Sequence, residues 1–134
     1  MTNDAFQPFA FNTTPSVRFE AGAARRFGEI AGPCLGRTVL FVTDPGLRAL
    51  GLCDPALASL EDAGIAVTVF DRVEADPSLK TLKAAIDTGR AAGVSGVAGF
   101  GGGSSLDVAK LAALLIESGE DLDAAWGVGN ARGP

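Results

Sequence analysis

Short apolar runs alternate with segments of helical spacing along most of this chain. Three runs rich in β-branched and aromatic residues are predicted to be strands: 38–43, 65–70 and 94–100. Continuous apolar runs of this length are typical of strands that are buried on both faces of a sheet. Three segments with helical spacing are predicted to be helices: 55–63, 78–92 and 105–117. The alternation predicts a doubly wound, mostly parallel α/β sheet of the Rossmann type.

The chain before the first buried strand has weaker patterns. Residues 1–14 show no period and are expected to form a flexible arm. Residues 15–20 alternate apolar and polar side chains, which predicts a half-buried strand. Residues 22–31 suit a short amphipathic helix that Gly32, Pro33 and Gly36 would stop.

The last predicted helix, 105–117, carries apolar residues nearly all round. Such a helix is normally buried on all sides. The residues after Gly119 show no strand or helix pattern that would cover it. We therefore expect residues 15–134 to be one α/β domain that is incomplete and belongs to a longer protein.

Composition and charge restrict the classes of partner. The apolar fraction of 47% and the charged fraction of 20% are those of a soluble globular protein. The net charge of −5 argues against nucleic acids and anionic membranes as partners. No apolar run approaches the roughly 20 residues of a membrane span, and the N-terminus does not resemble a signal peptide. Cys34 and Cys53 lack metal-ligand spacing and are interpreted as reduced thiols of a cytoplasmic protein.

Three consecutive glycines, Gly101, Gly102 and Gly103, connect the third predicted strand to the last predicted helix, which would start at Ser104 or Ser105. A glycine turn at a helix N-terminus directs backbone N–H groups and a partial positive charge at one point, which favours phosphate or pyrophosphate. The loop is neither a standard dinucleotide fingerprint nor a Walker A motif. The alternative is a tight turn that needs positive φ.

Asp44 directly follows the first buried strand. Ligands of doubly wound sheets bind outside the carboxyl ends of the strands. A carboxylate at this place could accept hydrogen bonds from the hydroxyls of an adenosine ribose and would repel a 2′-phosphate, so NADP is less favoured than NAD. The alternative is that Asp44, Pro45 and Gly46 form a turn.

Asp107 has three interpretations that the sequence leaves open. It could form a reciprocal helix cap with Ser104, it could form an i,i+3 ion pair with Lys110, or it could have a functional role.

The chain contains no histidine. This excludes Ser-His-Asp and Cys-His catalysis and any histidine-based zinc or iron site within the sequence. We therefore expect neither a catalytic residue nor a metal ligand in these 134 residues.

The segment from Gly101 to Lys110 resembles the GGGSxxDxAK signature of the iron-containing (group III) alcohol dehydrogenases. Weaker similarities support it at Pro15–Phe19 with Gly22, at Val42–Asp44 and at Val73–Ser78. The resemblance implies the NAD(P)-binding domain of a two-domain enzyme, truncated before the helical domain that binds Fe²⁺ or Zn²⁺ through one Asp and three His. Such enzymes transfer hydride between NAD(P) and an alcohol or aldehyde.

The resemblance also implies roles for single residues. Gly101, Gly102, Gly103 and Ser104 would hold the pyrophosphate, and Asp107 would lie near the nicotinamide. The expected partners are a dinucleotide, a small alcohol or aldehyde in the full-length enzyme, and further copies of the chain in a homo-oligomer.

Two other functions remain open at this point. One is a free-standing nucleotide-binding or interaction module without catalysis. The other is a fragment of a lyase similar to dehydroquinate synthase. Those synthases typically carry a Gly-Asp-x-x-Gly continuation, whereas the run from Leu106 to Lys110 favours the dehydrogenases.

Overall fold

The computed structural model describes residues 10–133. The described part contains three strands: β1 (Thr38–Val42), β2 (Ala66–Phe70) and β3 (Gly96–Gly99). A short 3₁₀ helix, Ala23–Arg26, precedes six α-helices: α1 (Phe27–Leu35), α2 (Pro45–Ala49), α3 (Asp54–Asp62), α4 (Leu79–Ala92), α5 (Gly103–Ser118) and α6 (Leu122–Ala125). Most of the expected arm, residues 1–9, lies outside the described residues, and residues 10–14 form no helix or strand.

The three strands form one parallel sheet in the order β2-β1-β3. The central strand pairs Thr38 with Ala66 on one side and Val39 with Gly96 on the other. Residues 39–42 are completely buried, as a continuous apolar run predicts for a strand covered on both faces. The predicted Rossmann-like α/β class is confirmed.

Alternate residues of β1 direct their side chains into two separate cores. Leu40 and Val42 belong to the core beneath α4 and α5. Val39 and Phe41 belong to the core beneath α1, α2 and α3. Helices α1, α2 and α3 therefore cover one face of the sheet, and α4 and α5 cover the other. The chain changes face between α3 and α4, through β2.

Close approach of α1 to α3 depends on a glycine. The backbone N–H of Gly28 donates to the hydroxyl of Ser59 at 2.9 Å. A Cβ on Gly28 would overlap the carbonyl oxygen of Ser59.

Two features of the N-terminal part differ from the predictions. Residues 15–20 form no strand, and Phe19 is fully exposed, because no described strand lies beside them to pair with. The helix predicted for residues 22–31 is not stopped by Gly32 and Pro33 but continues to Leu35, and ends at Gly36, which was also predicted to stop it and has φ 77°. The longer helix allows Leu35 to pack against the core, which offsets the hydrogen bond that proline cannot donate.

Two further differences concern helix starts. Asp44, Pro45 and Gly46 do not form an isolated turn, because Asp44 is the N-cap of α2 and the next two residues are its first turn. The third helix includes Asp54, and Cys53 occupies its N-cap position.

Candidate functional site

The topology creates one crevice at the carboxyl ends of the strands. The chain leaves β1 toward α2 on one face of the sheet and leaves β3 toward α5 on the other. Since β1 and β3 are neighbours, the chain segments that follow them diverge. This is the switch point at which open α/β sheets bind ligands.

Asp44 lies at this point, half-buried, directly after β1. Its Oδ1 accepts a hydrogen bond from the Leu47 N–H at 2.9 Å and so caps α2. Its Oδ2 lies 3.3 Å from the position that a Cβ on Gly101 would take. The structure therefore brings Asp44 and the glycine loop together, although 56 residues separate them along the chain.

Glycine occupies the three positions of the loop for different physical reasons. Gly101 has φ 138°, a conformation that residues with a Cβ rarely adopt, so the alternative of a turn that needs positive φ holds there. Gly102 has φ −82° and ψ −171°, which any residue adopts. A Cβ on Gly102 or Gly103 would meet no atom within 4 Å. These two glycines leave open space in front of the backbone.

The N-terminus of α5 is uncapped. Its N-cap is Gly102, which has no side chain, and no side chain of residues 10–133 accepts a hydrogen bond from the first N–H groups of this 16-residue helix. By contrast, the Ser78 hydroxyl accepts a hydrogen bond from the Thr81 N–H and caps α4. Free N–H groups and the helix dipole make this terminus suited to an anion.

A cleft of about 390 Å³ lies in front of the loop. Its lining comes from the ends of β1, β2 and β3: Asp44, Pro45, Val73, Glu74, Ala75, Gly102, Gly103, Ser104 and Ser105. An acceptor carboxylate thus faces the same cleft as a row of N–H donors, as a ribose joined to a diphosphate requires. The glycine cradle and its free donors fit a dinucleotide.

Glu74 is a residue of this cleft that the sequence analysis missed. Both of its oxygens accept from the Thr81 hydroxyl, at 2.6 and 2.7 Å, and Oε1 also accepts from the Ser78 N–H at 3.0 Å. These hydrogen bonds lower the pKa of Glu74 to about 2, and the bond from the Thr81 hydroxyl has a larger effect than the bond from the Ser78 N–H. The spacing of Glu74 ahead of the Ser78 cap was the available signal, and its role is to hold the start of α4.

Asp107 does not line the cleft. Of its three interpretations, the reciprocal cap with Ser104 is wrong, because the N-cap is Gly102 and Ser104 already lies inside the helix. Asp107 Oδ1 instead lies 2.8 Å from Lys110 Nζ in an exposed i,i+3 ion pair. Asp107 lines a different cavity, of about 310 Å³, together with Trp126.

A larger cavity, of about 520 Å³, lies between α4 and residues 119–123. It shares no lining residue with the cleft at the glycine loop, and its rim mixes charges of both signs. Its Arg90 already donates to the carbonyl oxygens of Leu115 and Ile116 at the end of α5. We therefore place the candidate site at the smaller cleft.

Iron does not fit the residues present. Within residues 10–133 no three His, Cys, Asp or Glu side chains are grouped as a metal site would require. None of the helices in the same range has the length and apolar content needed to cross a bilayer.

Comparisons with known proteins point to one family. The sequence model of the family described as iron-containing alcohol dehydrogenase matches residues 14–133. A choline dehydrogenase of Bacillus subtilis is 32% identical over 111 residues, which cover 82% of this chain and 28% of the relative. A sulfoacetaldehyde reductase of Bilophila wadsworthia is 28% identical over 94% of this chain and 33% of the relative. The chain thus spans about a third or less of these relatives.

Solved structures agree in fold. The NADH-dependent butanol dehydrogenase A of Thermotoga maritima has a TM-score of 0.77 and 30% identity, covering 88% of this chain and 30% of that one. Sequence and fold together establish that this chain belongs to the iron-containing alcohol dehydrogenase family.

Proposed function

We propose that this chain forms the NAD-binding part of a dehydrogenase that transfers hydride between NAD and a small alcohol or aldehyde. The observation that carries the proposal is the meeting of Asp44 with the glycine loop at the switch point of the sheet. Family membership supports the reaction class. Relatives described as an NAD-dependent methanol dehydrogenase and a choline dehydrogenase support NAD as the cofactor and an alcohol as the substrate.

In this proposal the N–H groups of Gly102 and Gly103 donate to the pyrophosphate, and Ser104 lies beside it. Gly101 supplies the turn that exposes them. Asp44 Oδ2 accepts from the adenosine ribose, because Oδ1 is already occupied by the Leu47 N–H. The negative charge of Asp44 disfavours a 2′-phosphate, so NAD is preferred over NADP. Asp107 near the nicotinamide remains an expectation from the family resemblance.

Bound NAD supplies the carbon that accepts or donates the hydride. The described residues bind and orient the dinucleotide, and we assign no catalytic role to any of them. Iron or zinc, as the family implies, would need ligands outside this sequence.

Assembly and location form a further part of the proposal. Large apolar side chains lie exposed on the described surface: Phe11, Val17, Phe19, Leu50, Leu52, Leu79, Leu106, Trp126 and Val128. This exposure supports a homo-oligomer. Cys34 and Cys53 are both free, which is consistent with the reducing cytoplasm.

The test is calorimetric titration of NAD⁺ into the 134-residue chain and its Gly102→Val variant. The valine fits the backbone conformation and meets no neighbour, but it fills the space in front of the N–H groups. We expect NAD⁺ binding to be lost while the far-UV circular dichroism stays unchanged.

Ala113→Val is the matched control, because it places the same side chain on the exposed face of the same helix. This variant should bind NAD⁺ as the original chain does. Equal affinity of all three proteins, or no NAD⁺ binding by the original chain, would contradict the proposal.

A further inference from the structure

Ser105 is almost completely buried, yet its hydroxyl makes no hydrogen bond in the described part of the chain. Thr43 and Ser105 are its two buried polar residues, and Ser105 is only 2% exposed. The Thr43 hydroxyl lies 3.5 Å from the Cys53 sulfur. The Ser105 hydroxyl takes part in none of the side-chain hydrogen bonds found among residues 10–133.

The hydroxyl opens onto the candidate cleft. Ser105 lines it, and its Oγ lies 3.1 Å from the position that a Cβ on Gly101 would take. Asp44 Oδ2 lies 3.3 Å from the same position. Every side-chain polar atom of residues 10–133 that solvent cannot reach has a hydrogen-bond partner. Because the Ser105 hydroxyl has no partner, solvent can reach it, and it belongs to the small exposed part of this residue.

A structural explanation for serine at this position is missing. A serine near a helix start normally caps the helix or bonds a carbonyl one turn back. Ser105 does neither, since the cap is Gly102. Alanine favours helix more than serine does, so the hydroxyl gives no stability to α5 that alanine would not give.

The chemistry around the hydroxyl identifies its partner. It lies in the first turn of α5, and the same Gly101 position has both this hydroxyl and the Asp44 carboxylate beside it. A phosphate oxygen can only accept hydrogen bonds, and a serine hydroxyl can donate one. We propose that Ser105 donates a hydrogen bond to the diphosphate of the bound dinucleotide, as a binding residue additional to the glycine loop. This inference rests on the proposed function.

The test compares the original chain with Ser105→Ala in two measurements. Without ligand, thermal unfolding should show a Tm for Ser105→Ala that is equal or higher, because the hydroxyl makes no hydrogen bond among the described residues and alanine favours helix. With ADP as the probe, calorimetry should show that Ser105→Ala binds at least about 10-fold more weakly than the original chain, since a hydrogen bond to a charged group is lost. Adenosine, which has no phosphate, should bind both proteins equally in ligand-observed NMR.

Ser105→Cys keeps the volume of the side chain and replaces a strong donor by a weak one. It should lose ADP affinity as Ser105→Ala does. The inference is overturned if Ser105→Ala binds ADP as tightly as the original chain, if its Tm without ligand falls, if adenosine binding weakens as much as ADP binding, or if Ser105→Cys retains full affinity.

The outcomes separate the two proposals. If the original chain binds NAD⁺ and loses it with Gly102→Val, but Ser105→Ala changes nothing, only the role of Ser105 is wrong. If the original chain binds neither NAD⁺ nor ADP, the proposed function fails and the role of Ser105 fails with it.

Discussion

At the scale of single residues, Asp44 combines two functions in one carboxylate. One oxygen caps α2 through the Leu47 N–H, and the other faces Gly101 across the cleft. A substitution at this position therefore changes helix stability as well as the site. The informative variant keeps the cap and removes only the charge.

Asp44→Asn meets that requirement, because asparagine caps helices about as well as aspartate does. We expect the preference for NAD⁺ over NADP⁺ to shrink by on the order of tenfold, since the repulsion of the 2′-phosphate disappears. Calorimetric titration of both cofactors measures the change. Asp44→Gly should narrow the preference as well, with a lower Tm from the lost cap.

A preference that stays the same in Asp44→Asn would remove Asp44 from the ribose site. Tighter binding of NADP⁺ than of NAD⁺ by the original chain would do so too.

Gly28 gives a prediction about stability alone. Gly28→Ala should lower the free energy of unfolding by about 1–3 kcal/mol, because the new Cβ overlaps backbone atoms of Ser59 that cannot move aside without shifting α3. Gly32→Ala on the same helix is the control, since its Cβ would meet only the end of the Ile65 side chain, at 3.1 Å. Urea unfolding of both variants measures the difference. Equal stability of the two would contradict the packing described for α1 and α3.

Single residues also show which parts of the site could be predicted from the sequence. The type of residue at Gly101, Gly102 and Gly103 was enough to predict a turn and an anion site. It could not distinguish Gly101, which needs positive φ, from the two that leave open space, because that depends on the path of the backbone. The interpretation of Asp107 depended on where α5 begins, because the helix starts two residues earlier than a Ser104 cap would require, which leaves the ion pair with Lys110 as the observed contact.

At the scale of elements, Glu74 joins the segment after β2 to the first turn of α4. The hydrogen bond from the Thr81 hydroxyl and, with a smaller effect, the one from the Ser78 N–H lower the pKa of the Glu74 carboxyl group from 4.5 to about 2. A carboxyl group whose pKa is lower in the folded state stabilises the fold above its unfolded pKa. This contribution is lost as the pH falls from 4.5 to 2.

Thr81→Val removes the larger cause of the shift while keeping the shape of the side chain. We expect the pKa of Glu74 to rise toward 4.5, and stability to depend less on pH in that window. NMR titration of the Glu74 carboxyl group measures the shift. Thr88→Val is the control on the same helix, because its hydroxyl donates to the Ala84 carbonyl at 2.7 Å. An unchanged Glu74 pKa in Thr81→Val would contradict this account.

Elements with a strong period were predicted closely. The predicted helix at 78–92 and the observed α4 differ by one residue, since Ser78 caps the start and Gly93 adopts φ 61° at the end. The segment at 15–20 failed for a different reason. Alternation describes a side-chain pattern, but a strand also needs a neighbour for its backbone, and none of the described strands lies there.

At the scale of the whole molecule, the sequence was sufficient to predict a parallel sheet with a layer of helices on each face. Continuous apolar runs required cover on both faces of the sheet, and the two cores supply it. The sequence did not give the strand order β2-β1-β3, because that order depends on which face each helix covers. The order matters for function, since it makes β1 and β3 neighbours and so joins Asp44 to the glycine loop.

The most direct test of this arrangement is titration of the ¹⁵N-labelled 134-residue chain with NAD⁺, followed by NMR. The account predicts saturable shifts that are largest at the N–H signals of Gly101–Ser104, with a smaller set at Asp44 and Leu47. Largest shifts at the cavity between α4 and residues 119–123, or no saturable shifts at the glycine loop, would contradict it.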